Sequence, residues 1–140
     1  MTAAASGVWI GWDDLPGYLR AAVEDVLGDR VVAAESQPGG FSPGTADRVR
    51  TATGRRAFVK AVSPAQNIDS PALHRREIRV SAALPDHLPV PRLLGSYDDG
   101  DWVALVLEDV PGRHPATPWR ADELERVLST LDSLASAGTP

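Results

Sequence analysis

The chain has 140 residues, 43% of them hydrophobic and 24% charged, with a net charge of −5, which is ordinary globular composition for one modest domain or part of a larger one. It has no cysteine, excluding disulfides and thiolate metal sites, and its scattered arginines on an acidic background give no reason to expect a nucleic-acid partner. The opening "MTAAASGVWIGW" lacks the basic start of a secretory signal, and no stretch approaches the ~20 apolar residues of a membrane span, so the expectation is a soluble, cytoplasmic protein without a membrane partner.

In chain order, Asp13 to Leu27 predicts a helix: Leu15, Tyr18, Leu19, Ala22, Val23, Val26 and Leu27 recur at three-and-four spacing, and Gly28 supplies a stop. Asp13 or Asp14 is the expected cap, with Pro16 in the first turn. "VVAAESQ" from Val31 reads as a first strand, and the glycine-rich "SQPGGFSPGT" (Ser36 to Thr45) follows it. "ADRVRTA" from Ala46 and "RAFVKAV" from Arg56 read as a hairpin about a Thr53-Gly54 turn. After a loop over Ser63 to Ser70, "PALHRREIRVSAAL" predicts a helix from Pro71 to Leu84 capped by Ser70. Pro85, Pro89 and Pro91 break the chain, and "RLLGSY" and "WVALVL" flank Asp98-Asp99-Gly100-Asp101, a strong hairpin signal. The proline-rich "EDVPGRHPATPW" leads to a last helix, about Ala121 to Ala137, with a stripe of Leu124, Val127, Leu128, Leu131 and Leu134. Short turns between strands imply an antiparallel sheet, so the fold class is α+β, with five strands, a helix following the third strand and a helix at each end.

One count stands out. Of the 14 basic residues only Lys60 is a lysine. It lies within "AFVKAV", where both strand faces are apolar, so its ammonium needs a partner or must snorkel to water. Arginine replaces lysine easily on a surface, but not where a compact, flexible ammonium is required. Glu77 is the natural partner, since Leu73, Glu77, Val80 and Leu84 fall on one helical stripe; the alternative is a surface glutamate paired with an arginine one turn away. The glycine-rich segment matches neither G-x-G-x-x-G nor a P-loop, and by itself permits either a phosphate cradle or a plain turn. A strand lysine, a glutamate in the next helix and an upstream glycine-rich turn nevertheless occur in the order in which protein kinases hold ATP.

The segments "GGFSPGTADRVR", "AFVKAV", "LHRREIRVSAALP", "VPRLLGSYDDGDWVALVLEDVPGRHP" and "PWRADELERVLSTLDSLA" together resemble the amino-terminal part of the aminoglycoside phosphotransferase-like family, particularly actinobacterial members. An arginine-over-lysine bias with abundant Ala, Gly and Pro suits such a bacterial source. The resemblance implies a protein-kinase-like small lobe with an αC-type helix, and transfer of the ATP γ-phosphoryl group to a small-molecule hydroxyl. It implies that Lys60 contacts ATP phosphates, that Glu77 orients it, and that Gly39, Gly40 and Ser42 lie over the phosphates. Leu107 would back the adenine pocket, with the Glu108 carbonyl and the Val110 amide on the adenine edge; the alternative for Glu108-Asp109 is a solvated acidic turn. The implied organisation is an ATP-binding lobe over residues 1–107, a hinge over 108–119 and the start of a carboxy-terminal lobe over 120–140.

The family's catalytic aspartate follows a His-Gly or similar pair, and a later aspartate holds Mg²⁺. His74, His87 and His114 open no such motif, so no catalytic or metal-binding residue is assigned, Mg²⁺ is expected only through a missing carboxy-terminal lobe, and these 140 residues alone are expected to be inactive. The stripe from Leu124 to Leu134 is expected to be exposed, to fold back, or to meet that lobe or a dimer partner. The competing reading is a non-catalytic kinase-like relic that binds a protein partner through that stripe. A protein Ser/Thr kinase fits less well, because the loop lacks G-x-G-x-x-G-x-V.

Overall fold

The computed structural model describes residues 8–37, 43–110 and 120–138. The chain forms two compact units, Met1–Ala83 with Arg92–Asp109, and Leu84–Pro91 with Val110–Pro140. The first is α+β, as expected. Strands β1 (Val31–Ser36), β2 (Thr45–Thr51), β3 (Arg56–Val62), β4 (Leu93–Asp98) and β5 (Val103–Glu108) form one sheet in the order β1-β2-β3-β5-β4. Every neighbouring pair is antiparallel.

Alternation gives the sheet two unlike faces. On one, Val49, Ala57, Val59, Ala61, Ala104 and Val106 are buried beneath helix α1 (Gly17–Leu27), which contributes Leu19, Val23 and Leu27. Trp12, Leu15 and Trp102 complete this core. Each large aliphatic side chain buried here contributes about 1.5–3 kcal/mol. The helix lies close to β4: a Cβ added at Gly95 would fall 2.6 Å from Val26 Cγ1.

The expected helix from Asp13 is two elements. Trp12–Asp14 is a 3₁₀ turn, Leu15 is extended, and Pro16 takes the N-cap position of α1. The residue before a proline is disfavoured in the α region, so the helix cannot run through Leu15. Asp14 does not cap α1; its carboxylate accepts the Gly11 N–H at 2.9 Å.

Helix α2 (Ser70–Ala83) follows β3. Its start is secured by Asn67, whose Oδ1 accepts from the N–H groups of Asp69 and Ser70 and from Ser70 Oγ, in place of the expected Ser70 cap. The expected buried stripe is also corrected: Leu73 and Val80 are 60% and 52% exposed, and Leu84 is exposed too. The helix instead buries Ser70, Pro71 and His74. Glu77 belongs to both spacings, 73-77-80 and 70-74-77, so it faces inward although its apolar neighbours in sequence do not.

In the second unit, helix α3 (Ala121–Gly138) carries Leu124, Leu128 and Leu131 exposed. Among the described residues no helix is long and apolar enough to cross a membrane.

Candidate functional site

Lys60 stands on the sheet face opposite the α1 core. Its neighbours in register are Ala46 on β2 and Leu105 on β5, so the sheet offers it no counter-charge. The counter-charge comes from α2: Lys60 Nζ lies 2.7 Å from Glu77 Oε2 and 3.0 Å from Oε1. The two side chains are 23% and 37% exposed, so the pair adds at most about 1 kcal/mol to stability. Its consequence is geometric: the ammonium is held at one place while still reachable from solvent.

Three contacts hold α2 at the distance this pairing needs. Asn67 secures its first turn, Ser70 and His74 pack against the sheet side, and Arg75 donates to both Asp98 oxygens at 2.9 and 3.2 Å at the end of β4. His74 is buried, with Nδ1 3.1 Å from the Ser70 carbonyl oxygen. Burial pushes its imidazole below the ordinary pKa, and the Lys60 charge pushes the same way against an opposing pull from Glu77. His74 is therefore a neutral packing residue beside the ion pair.

The other anticipated residues are distributed unequally. Leu107 is directly opposite Phe58, two residues before Lys60, and so shares the lysine's face. Glu108 closes the start of β4: its N–H donates to the Arg92 carbonyl at 2.9 Å, and its Oε1 accepts the Arg92 N–H at 2.7 Å. The Asp109 side chain is 6% exposed and ion-paired with Arg48 Nε at 3.2 Å. The Glu108-Asp109 pair is thus not a solvated turn; both carboxylates are engaged within the first unit. Val110 opens the second unit and is exposed. Gly39, Gly40 and Ser42 lie outside the described residues. The stem below them is paired, with the Gln37 N–H donating to the Ala46 carbonyl at 2.9 Å.

Two residues at that stem escaped the sequence reading. Asp47 is 2% exposed and accepts from the Trp12 N–H at 2.9 Å, Ser36 Oγ at 2.9 Å and Thr45 Oγ1 at 3.1 Å. A carboxylate at an inward position of a strand was the available signal, since such a group must find donors. Gly44 pairs with the N-terminal segment, donating to the Val8 carbonyl at 2.8 Å and accepting the Ile10 N–H at 3.0 Å. Its φ is +96°, and an added Cβ would sit 2.3 Å from the Ala61 carbonyl oxygen, so only glycine fits.

The arrangement is a paired, solvent-reachable ammonium on a strand, backed by a helix carboxylate, with apolar Phe58 on the same strand and Leu107 opposite it sharing its face. It offers a fixed positive point for an anionic ligand beside an apolar surface. Among the described residues no group of three or more His, Cys, Asp or Glu is placed to hold a metal ion. No curated protein matches the chain. A family model does: the phosphotransferase enzyme family, over residues 38–139. That span contains β2 to β5, α2, the Lys60–Glu77 pair and α3, and the chain belongs to the phosphotransferase enzyme family.

Proposed function

We propose that residues 1–107 are the ATP-binding lobe of a small-molecule O-phosphotransferase, with Lys60 as the ligand of the ATP phosphates and Glu77 as the group that orients it. The observation that carries this reading is the contact of Lys60 Nζ with both oxygens of Glu77. Such a contact fixes a flexible four-carbon side chain before the ligand arrives. Preorganised charge of this kind is the main contribution a protein makes to phosphoryl transfer. Leu107 and Phe58 share the lysine's face, which gives adenine an apolar wall beside the phosphate ligand. The Glu108 carbonyl and the Val110 amide are assigned to the adenine edge through the family resemblance, as are Gly39, Gly40 and Ser42 to the phosphates. In the complete reaction the γ-phosphoryl group passes to an acceptor hydroxyl and ADP leaves. Mg²⁺ would neutralise phosphate charge in that step, and through the family resemblance it is assigned to a carboxy-terminal lobe.

The test is equilibrium binding of Mg-ATP to the purified chain, to Lys60→Ala and to Glu77→Gln. The expected result is weak binding by the parent, at least tenfold weaker in Lys60→Ala and intermediate in Glu77→Gln, with all three equally folded by circular dichroism. Binding that is unchanged in Lys60→Ala would overturn the assignment. Absence of binding in the parent would favour the relic reading instead.

A further inference from the structure

The face that carries Lys60 also carries a basic group apart from the Lys60–Glu77 pair. Arg48 and Arg50 alternate along β2 with Ala46, which is opposite Lys60, so all of them share that face. Arg50 is directly opposite Arg56 on β3, and both are exposed. Like charges directly across an antiparallel pair destabilise it, and among the described residues neither guanidinium has an ion-pair partner. The nearby carboxylates are directed at Arg48: Asp109 pairs with it at 3.2 Å, and Glu35 stands opposite it, one step away from Arg50 along the sheet. The three arginines, with Ala33, Glu35 and Asp109, line a cleft of about 420 Å³. Three arginines against two carboxylates leave the cleft with a formal excess of positive charge on a chain of net charge −5.

We propose that the Arg50–Arg56 pair is a binding site for the phosphate group of a small phosphorylated molecule, separate from the anion position at Lys60. Two arginines directly opposite in register can supply several planar N–H donors to a single tetrahedral oxyanion, which a carboxylate, with two oxygens, fills less completely. A bound phosphate also removes the repulsion that the cross-strand pair otherwise carries. Arg56 is four residues from Lys60 on the same strand, roughly 13 Å along it, so one phosphate cannot occupy both positions.

The test is calorimetric titration of inorganic phosphate, at constant ionic strength, into Lys60→Ala, which lacks the other candidate phosphate ligand, and into the same chain carrying Arg50→Thr and Arg56→Thr. Phosphate should bind Lys60→Ala and bind at least tenfold more weakly once the two arginines are gone; Arg56→Gln alone, a milder change, should lose at least threefold. Without phosphate, Arg56→Gln should raise the melting temperature, because one of two facing charges has been removed. Equal phosphate affinity with and without the arginine pair would overturn the site, and acetate binding as tightly as phosphate would overturn the ligand class. The outcome does not depend on whether ATP uses Lys60, so failure here is distinguishable from failure of the nucleotide assignment.

Discussion

Asp47 shows how much a single side chain organises here. Its carboxylate gathers donors from three segments: the N-terminal stretch through Trp12, the end of β1 through Ser36 and the start of β2 through Thr45. Replacing it with alanine leaves the Trp12 N–H and the Thr45 hydroxyl buried without this acceptor, at about 1–3 kcal/mol for each such group. Asp47→Ala should lose roughly 2–6 kcal/mol in urea unfolding, with the slope unchanged. His74 supplies a second residue-scale prediction. Its folded pKa lies below the ordinary value of 6.5, chiefly because of burial, so the unfolded chain binds a proton more readily. Stability from this group is complete above about pH 6.5 and declines as pH falls toward the folded pKa. The melting temperature should therefore drop between pH 7 and 5, and His74→Gln should flatten that part of the profile. Asp29, Asp98 and Asp99 are lowered mainly by hydrogen bonds from Thr53, Arg75 and Asp101, and they act only in the more acidic range below their unfolded values.

At the scale of elements, the N-terminal stretch behaves as a strap. Val8 donates to the Gln66 carbonyl at 3.0 Å, and Val8 and Ile10 bracket Gly44, so residues 8–10 tie the start of β2 to the connection that follows β3. Gly44 is the point of closest approach. Gly44→Ala should lose at least about 1–3 kcal/mol from the positive φ alone, with further loss from the clash against Ala61, read as a lowered urea midpoint. The elements themselves were largely legible: all five strands start within one residue of the positions that alternation and turn residues indicated. The misjudged pieces were those where one local signal overrode another. Pro16 broke a helix whose apolar spacing ran through it, and Asn67 displaced Ser70 as the cap of α2 because its side chain reaches three donors at once. The stripe 73-77-80 was apolar yet exposed, since α2 packs through short Ser70 and half-polar His74.

At the scale of the whole molecule, the question is what these residues do together. Phosphoryl transfer requires a held nucleotide, a metal and a group that positions the acceptor hydroxyl. The described residues supply a candidate for the first of these, and none of the three histidines opens the family's His-Gly-Asp-type loop. We therefore expect the purified chain to bind Mg-ATP without turnover. Phosphorylation of a small-molecule hydroxyl by residues 1–140, lost in Lys60→Ala, would contradict that expectation.

Sequence by itself determined the α+β class and the strand order along the chain, carried the family resemblance, and named Glu77 as the candidate partner of Lys60. The class and the strand order rest on local periodicity and turn chemistry, which are written in neighbouring letters; the family rests on the resemblance of whole segments, and the candidate pair on the rarity of lysine. Only the tertiary structure decided that Asp109 pairs with Arg48, that Asp47 joins three segments, and that Arg50 stands opposite Arg56. Those facts depend on strand register, which brings together residues that are distant in the chain or unremarkable where they stand, and a side chain's partner across a sheet is set by where the backbone turns and not by its own identity.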